Sequence, residues 1–94
     1  MTIDDITVDL RMNSKLDSKC KAYGDVTAML GSDGVLKIMG CSVFEKEGRS
    51  PWVGLPARKG QYAFFPVVQL VGKIESLVSE AVLAAYRKAT QPKA

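Results

Sequence analysis

The side chains of this 94-residue chain that are best suited to chemistry are cations in its second half. Arg58 and Lys59 stand next to each other in the segment PARKG, between Pro56 and Gly60. Cationic groups bind phosphate, and a guanidinium can hold one phosphate through two parallel hydrogen bonds. We therefore expect Arg58 and Lys59 to lie on an exposed loop between two short strands, as candidate phosphate-binding residues.

Other basic residues extend this candidate site. Lys46 and Arg49 belong to a charged turn before the loop, and Lys73 is expected to open a helix after it. Residues 46–73 hold five basic side chains and one acidic one, whereas residues 1–33 hold four basic and six acidic ones. Such asymmetry indicates a side that faces a polyanion. The alternative is a solvated surface on which like charges cluster by chance.

Four aromatic residues accompany these cations, namely Trp52, Tyr62, Phe64 and Phe65. Aromatic rings on a sheet surface can stack on unpaired bases, as they do in proteins that bind single strands. The same rings can instead pack beneath a helix or within a dimer interface. The sequence leaves both interpretations open.

Several kinds of active site are excluded by composition. The chain contains no histidine, so neither a Ser-His-Asp triad nor a Cys-His pair nor a histidine-ligated metal site can form. Cys20 and Cys41 are two thiols, too few for a closed zinc site, and we expect both to be reduced. The carboxylates are dispersed and there is no glycine-rich phosphate loop. We therefore predict no enzyme, no metal, no cofactor and no small-molecule substrate.

Length and composition predict one globular domain covering residues 1–94. The chain is 47% hydrophobic and 24% charged, which is typical of a folded soluble protein. Its first ten residues, MTIDDITVDL, are acidic rather than basic and apolar, unlike a secretory signal. Because no apolar run approaches the ~20 residues of a membrane helix, we expect a cytoplasmic protein without a membrane partner.

The first part of the chain has the two-residue period of half-buried strands. Apolar residues alternate with polar ones in a first run that contains Ile6, Val8, Leu10 and Met12 and a second that contains Ala22, Val26, Ala28 and Leu30. The segment GSDG at 31–34 predicts a hairpin turn. In the next run, residues 35–44, the apolar parity changes, which indicates a β-bulge near Gly40.

The rest of the chain predicts two short strands and a helix. Residues 51–56, bounded by prolines, fit an edge strand, and residues 62–65 form an aromatic strand closed by Pro66. Apolar residues then recur every three or four positions, which predicts a helix over about 67–89 and a short disordered tail over 90–94. The predicted fold is α+β, with an antiparallel sheet of four to five strands over about 3–66 packed by one C-terminal helix. Because one helix is too small to cover such a sheet completely, we also expect a homodimer.

With these elements in place, the chain resembles the SpoVG family of small bacterial regulators from about Ile6 to Lys88. The resemblance is carried by the strands ITVDLR and VTAML, by the segment WVGLPARK, by Phe65-Pro66, and by GKI, AVL and YR in the helix. The loop between Lys59 and Phe65 is shorter than the one usual in the family.

The resemblance implies a homodimer that binds nucleic acid, DNA or RNA, and regulates gene expression in a bacterium, in the setting of septation or sporulation. In that family the basic residues after the Leu-Pro strand are associated with DNA binding, and they match Arg58 and Lys59. The lysine at the start of the helix matches Lys73. An alternative from another class is a protein-interaction module that uses a sheet edge or the Trp52 region.

Overall fold

A computed structural model, which describes residues 1–14 and 19–90, shows two antiparallel sheets and one long helix. The larger sheet has the strand order β1-β2-β3-β4 and the smaller one pairs β5 with β6. The elements are β1 (Ile6–Met12), β2 (Cys20–Met29), β3 (Val35–Phe44), β4 (Trp52–Gly54), β5 (Ala57–Lys59), β6 (Phe64–Pro66) and α1 (Lys73–Thr90). Single 3-10 turns occupy Ile3–Asp5 and Gly31–Asp33. The predicted α+β class, with its single helix, is confirmed.

The hydrophobic core lies between α1 and one face of the larger sheet, which we call the covered face. Because side chains alternate along a strand, Val8 and its partner Val26 point to this face together, and Val43 continues it on β3. The helix contributes Val78 and Val82, which are 1% and 0% exposed. Burial of these aliphatic side chains, at roughly 1.5–3 kcal/mol each, is the main source of stability.

The opposite side of the larger sheet, which we call the open face, is half-buried or exposed. Residues that alternate with the core positions lie there: Thr7, Asp9, Arg11, Tyr23, Asp25, Thr27, Met29, Ser42, Phe44 and Trp52. Tyr23 and Trp52 are 45% and 38% exposed. The open face is therefore the part of the sheet on which another molecule can bind.

The predicted β-bulge near Gly40 is confirmed by the pairing of β2 with β3. Val26 faces Ile38 and Gly24 faces Cys41, so three steps along β3 match two steps along β2. Gly40 adopts φ +85°, where other residues are strained, and its N–H donates to Asp25 Oδ1 over 3.1 Å. The extra residue keeps both Ile38 and Cys41 in the core.

Three predicted boundaries are wrong. The helix begins at Lys73 and not near residue 67, because Gly72 has φ +93°, which no right-handed helix can contain. Val68 and Leu70 still pack against the core, but from the non-helical segment before α1. The sheet begins at Ile6, since Ile3–Asp5 forms a 3-10 turn. The predicted tail starts one residue too early, because Thr90 ends α1, and residues 91–94 lie outside the described residues.

One stretch of β3 has an unpaired edge. Short β4 pairs only with Ser42, Val43 and Phe44, so within residues 1–14 and 19–90 the outer edge of residues 35–41 has no strand partner. Leu36 and Met39 on this stretch are 47% and 62% exposed. Such an edge offers free backbone donors and acceptors to another strand.

We predict that Gly24→Ala destabilises the protein by about 3 kcal/mol, the upper part of the range for overpacking. A Cβ at this buried position would overlap the carbonyl oxygen of Asp9 and come within 2.9 Å of the Leu10 Cα, so β1 and β2 would have to separate. Urea unfolding followed by Trp52 fluorescence measures the loss. Gly48→Ala is the control, because open space surrounds Gly48 at φ +81° and the backbone strain there costs only about 1 kcal/mol. Equal losses for the two variants would contradict the prediction.

Candidate functional site

The predicted basic loop is in fact part of a two-stranded hairpin. Arg58 pairs with Phe65 and Lys59 with Phe64, and Gly60 N donates to Ala63 O over 2.7 Å to close the turn. The prediction was wrong because flanking Pro56 and Gly60 resemble loop signals, whereas the strand partner lies across a turn of only four residues. Both cations are exposed, as predicted, but their backbone is held by a ladder rather than by a free loop.

The turn of the hairpin also corrects the predicted aromatic strand. Tyr62 and Ala63 lie in the turn, and only Phe64–Pro66 forms β6. A Cβ at Gly60 would come within 2.8 Å of the Phe65 ring, so this glycine leaves room for the aromatic side chain. The hairpin is thus stabilised by a ring packed on its own turn.

Arg58 and Lys59 point to opposite sides of the hairpin, because successive strand residues alternate. Arg58 shares its side with its partner Phe65, and Lys59 shares the other with Phe64. The two cations are therefore adjacent in sequence but lie on two different surfaces of the hairpin. A single phosphate cannot be contacted equally by both.

Lys46 and Arg49 lie on the turn between β3 and β4, as predicted. Arg49 N donates to Lys46 O over 3.0 Å, which fixes the turn. The guanidinium carbon of Arg49 lies 5.2 Å from the centre of the Trp52 ring, within the range of a cation–π contact. Arg49 is thus placed at the open face by an aromatic side chain.

Phe44 completes this arrangement, and sequence reasoning missed it. Its ring stacks on Trp52 with a centroid distance of 5.8 Å and an interplanar angle of 24°. The register pairs Phe44 with Trp52 across β3 and β4, on the open face. The predicted bulge could have revealed the position of Phe44, because the parity change at Gly40 turns this side chain away from the helix.

The four aromatic residues of the sequence prediction do not pack beneath the helix. Tyr62, Phe64 and Phe65 are 91%, 70% and 52% exposed, and Trp52 lies on the open face. Packing beneath the helix is therefore wrong for these four residues, since β5 and β6 form a sheet separate from the one that packs on α1. Packing within a dimer interface stays a prediction.

A cleft joins the open face to the hairpin. Phe44, Gly40 and Ser42 line it from β3, and Ala57 and Phe64 line it from the hairpin. Since Lys59 is on the same side of β5 as Ala57, the cleft brings Lys59 toward the aromatic pair that holds Arg49. Lys73 belongs to the helical layer, where it is exposed at the first position of α1.

In the described part of the chain, no charged or polar residue is fully buried and no group of His, Cys, Asp or Glu could hold a metal ion. Tyr86 OH donates to Glu45 Oε1 over 3.2 Å, and burial and this carboxylate raise the pKa of the phenol. That contact joins α1 to the end of β3, which is a structural role.

The two cysteines form no disulfide and occupy different environments. Cys41 is buried on the covered face, whereas Cys20 pairs with Phe44 on the opposite side of the sheet. Burial raises the pKa of the Cys41 thiol, and the nearby Asp25 carboxylate raises it further. A thiol held neutral in this way is a poor nucleophile.

Comparison with known proteins finds no relative, since no family model, curated protein or solved structure matches the chain. Within residues 1–14 and 19–90, no helix has the length and apolar character required to cross a membrane.

We predict that the free energy of unfolding falls as the pH rises above about 9, the ordinary pKa of the thiol. The folded state holds the Cys41 proton more tightly than the unfolded chain does. Above the unfolded pKa the unfolded chain therefore binds fewer protons, and the stability decreases by at most about 1.4 kcal/mol per pH unit for one group. Urea unfolding at pH 8, 9 and 10 measures the slope.

Cys41→Ala is the control for this pH dependence. The variant should be less stable at every pH but should show a flatter profile between pH 8 and 9.5, below the ordinary pKa of 10.0 of the Tyr86 phenol. A variant whose slope equals that of the wild type would show that Cys41 is not the titrating group.

Proposed function

We propose that this chain is a homodimeric nucleic-acid-binding regulator of the SpoVG type, working in the bacterial cytoplasm, where cysteine thiols stay reduced. The observation that carries the proposal is the hairpin itself, which holds Arg58 and Lys59 at exposed positions on a hydrogen-bonded backbone. Fixed cations lose little freedom on binding, so they suit phosphate contacts better than cations on a mobile loop. The family resemblance, which these residues help to carry, implies a role for the same two residues.

The basic residues have two roles in this proposal. Arg58 and Lys59 contact phosphates directly, and Lys46, Arg49 and Lys73 add longer-range attraction. Phosphate contacts position a nucleic acid without reading its sequence. With about four to six phosphates neutralised per dimer, log K is expected to fall with log[salt] at a slope of roughly −4 to −5.

The unpaired edge of β3 supports the dimer. Residues 35–41 offer a row of backbone groups, and exposed Leu36 and Met39 flank them. Two copies related by a two-fold axis can pair these stretches antiparallel, since the same strand then meets itself. The pairing joins two four-stranded sheets into one and doubles the number of hairpins presented to a nucleic acid.

A protein-interaction module is the second candidate, and the same edge favours it. A partner protein can add an extended segment to residues 35–41 by β-strand addition. Such a module does not need the cations of the hairpin, so the two candidates differ in their response to charge removal at Arg58 and Lys59.

We predict that the double variant Arg58→Ala/Lys59→Ala loses at least tenfold in affinity for labelled DNA or RNA at 50 mM salt and has a shallower salt slope. The reason is that up to four of the neutralised phosphates per dimer lose their cation. Fluorescence anisotropy at two salt concentrations measures both quantities, with circular dichroism to show that the fold is kept.

The control removes the same charge elsewhere. Arg87→Ala/Lys88→Ala takes two exposed cations from the last turn of α1, outside the proposed site. Its affinity should fall by about threefold or less. Equal losses in the two double variants would show a diffuse electrostatic effect, and no binding by the wild type at low salt would favour the protein-interaction module.

We predict that Met39→Lys shifts a dimer toward monomer, because it places a charge beside the paired edge at a position that is 62% exposed in one chain. Analytical ultracentrifugation over a range of concentrations measures the dissociation constant. Val71→Lys is the control, since Val71 is 77% exposed and belongs to the segment between β6 and α1, outside residues 35–41. A monomeric wild type at high concentration, or a dimer unaffected by Met39→Lys, would contradict pairing through this edge.

A further inference from the structure

Phosphate binding by cations does not account for the cleft between the open face and the hairpin. The cleft has a volume of about 460 Å³ and is walled on one side by Phe44 and on the other by Phe64. Phe64 is 70% exposed in a chain that buries its aliphatic core well. Two aromatic rings at an open cleft form a surface that suits a flat, apolar group.

Cations stand on the same surface as these rings. Lys59 is the cross-strand partner of Phe64 and shares its side of the hairpin. At the far edge of the aromatic pair, Arg49 lies 5.2 Å from the Trp52 ring, which itself stacks on Phe44. Lys59 therefore lies at one end of this surface and Arg49 at the other. The aromatic cleft and the Trp52 ring lie between them.

This order matches the chemistry of a single-stranded nucleic acid. Proteins that bind single strands combine a basic groove for the backbone with aromatic rings for the bases, because every base has a stacking face. A duplex does not offer its bases in this way, since they are already stacked and paired.

We propose that the cleft between Phe44 and Phe64 binds an unpaired base of a single-stranded nucleic acid, with Lys59 and Arg49 contacting the phosphates on either side. This inference rests on the proposed function, specifies its ligand as a single strand, and gives Arg49 a direct phosphate contact in place of longer-range attraction. It also separates the two cations of the hairpin: Lys59 serves the base-binding side, and Arg58 serves the opposite side with Phe65.

The experiment compares three labelled polyanions: a twenty-nucleotide oligo(dT), a twenty-base-pair duplex and inorganic polyphosphate of similar charge. The wild type should bind oligo(dT) more tightly than the other two. Phe64→Ala should weaken oligo(dT) binding by roughly tenfold, since one stacked base contributes about 1–3 kcal/mol. It should leave polyphosphate binding unchanged, and Phe64→Tyr, which keeps the ring, should restore affinity for oligo(dT).

Tyr62→Ala is the matched control, because Tyr62 is an aromatic residue of the same hairpin, 91% exposed, that does not line the cleft. Its affinity for oligo(dT) should match the wild type. A second measurement is the fluorescence of Trp52, the only tryptophan, which should change more on addition of oligo(dT) than of polyphosphate. Circular dichroism shows whether each variant keeps the fold.

The outcomes separate this inference from the proposed function. If Phe64→Ala leaves oligo(dT) binding intact, or weakens oligo(dT) and polyphosphate equally, the cleft does not bind a base, while nucleic-acid binding through Arg58 and Lys59 stands. Binding of the duplex as tight as that of the single strand would also overturn it. A wild type that binds none of the three polyanions would remove both the inference and the proposed function.

Discussion

The single extra residue in β3 at Gly40 is the constraint on which the rest of the structure depends. A regular strand would send Ile38 and Phe44 to the same side, and either the core or the open face would lose a residue that it needs. The bulge lets Ile38, Cys41 and Val43 all enter the core while Phe44 stays outside. Asp25 accepts a hydrogen bond from the Gly40 N–H that the bulge frees, so the irregularity leaves no unsatisfied donor there. The stacking of Phe44 on Trp52, and with it the position of Arg49, follows from this one register shift.

The helix covers the larger sheet only in part, because the chain is short. One 18-residue helix covers the middle of a four-stranded sheet but does not reach all of its apolar residues. Leu36 lies on the covered side of β3 and is still 47% exposed. A small domain buries little apolar surface in total, so exposed apolar residues of this kind lower the stability of an isolated chain. A second copy that covered them, as in the proposed dimer, would turn the same residues into a stabilising contact.

The sequence predicted well those features that depend on local periodicity. The alternation of β1, β2 and β3, the bulge near Gly40, and the apolar stripe of α1 from Ile74 onward follow from side-chain direction alone, and the structure confirms them. The hairpin of β5 and β6 was missed because its strands have three residues each, too few to establish a period. The helix start was missed because Val68 and Leu70 do reach the core, but from a non-helical segment that Gly72 separates from α1.

The same limit explains why the candidate site could be predicted only in part. Residue type was enough to single out Arg58 and Lys59, since exposure of a charged pair next to proline and glycine needs no knowledge of the fold. The surface that each cation faces depends on the pairing of Arg58 with Phe65 and of Lys59 with Phe64. Such pairing joins two segments of the chain, and sequence spacing does not reveal it. The pairing shows that these two cations, although adjacent in sequence, point to opposite sides of the hairpin. Arg58 and Lys59 then stop being one basic patch, and only Lys59 shares a surface with the aromatic cleft.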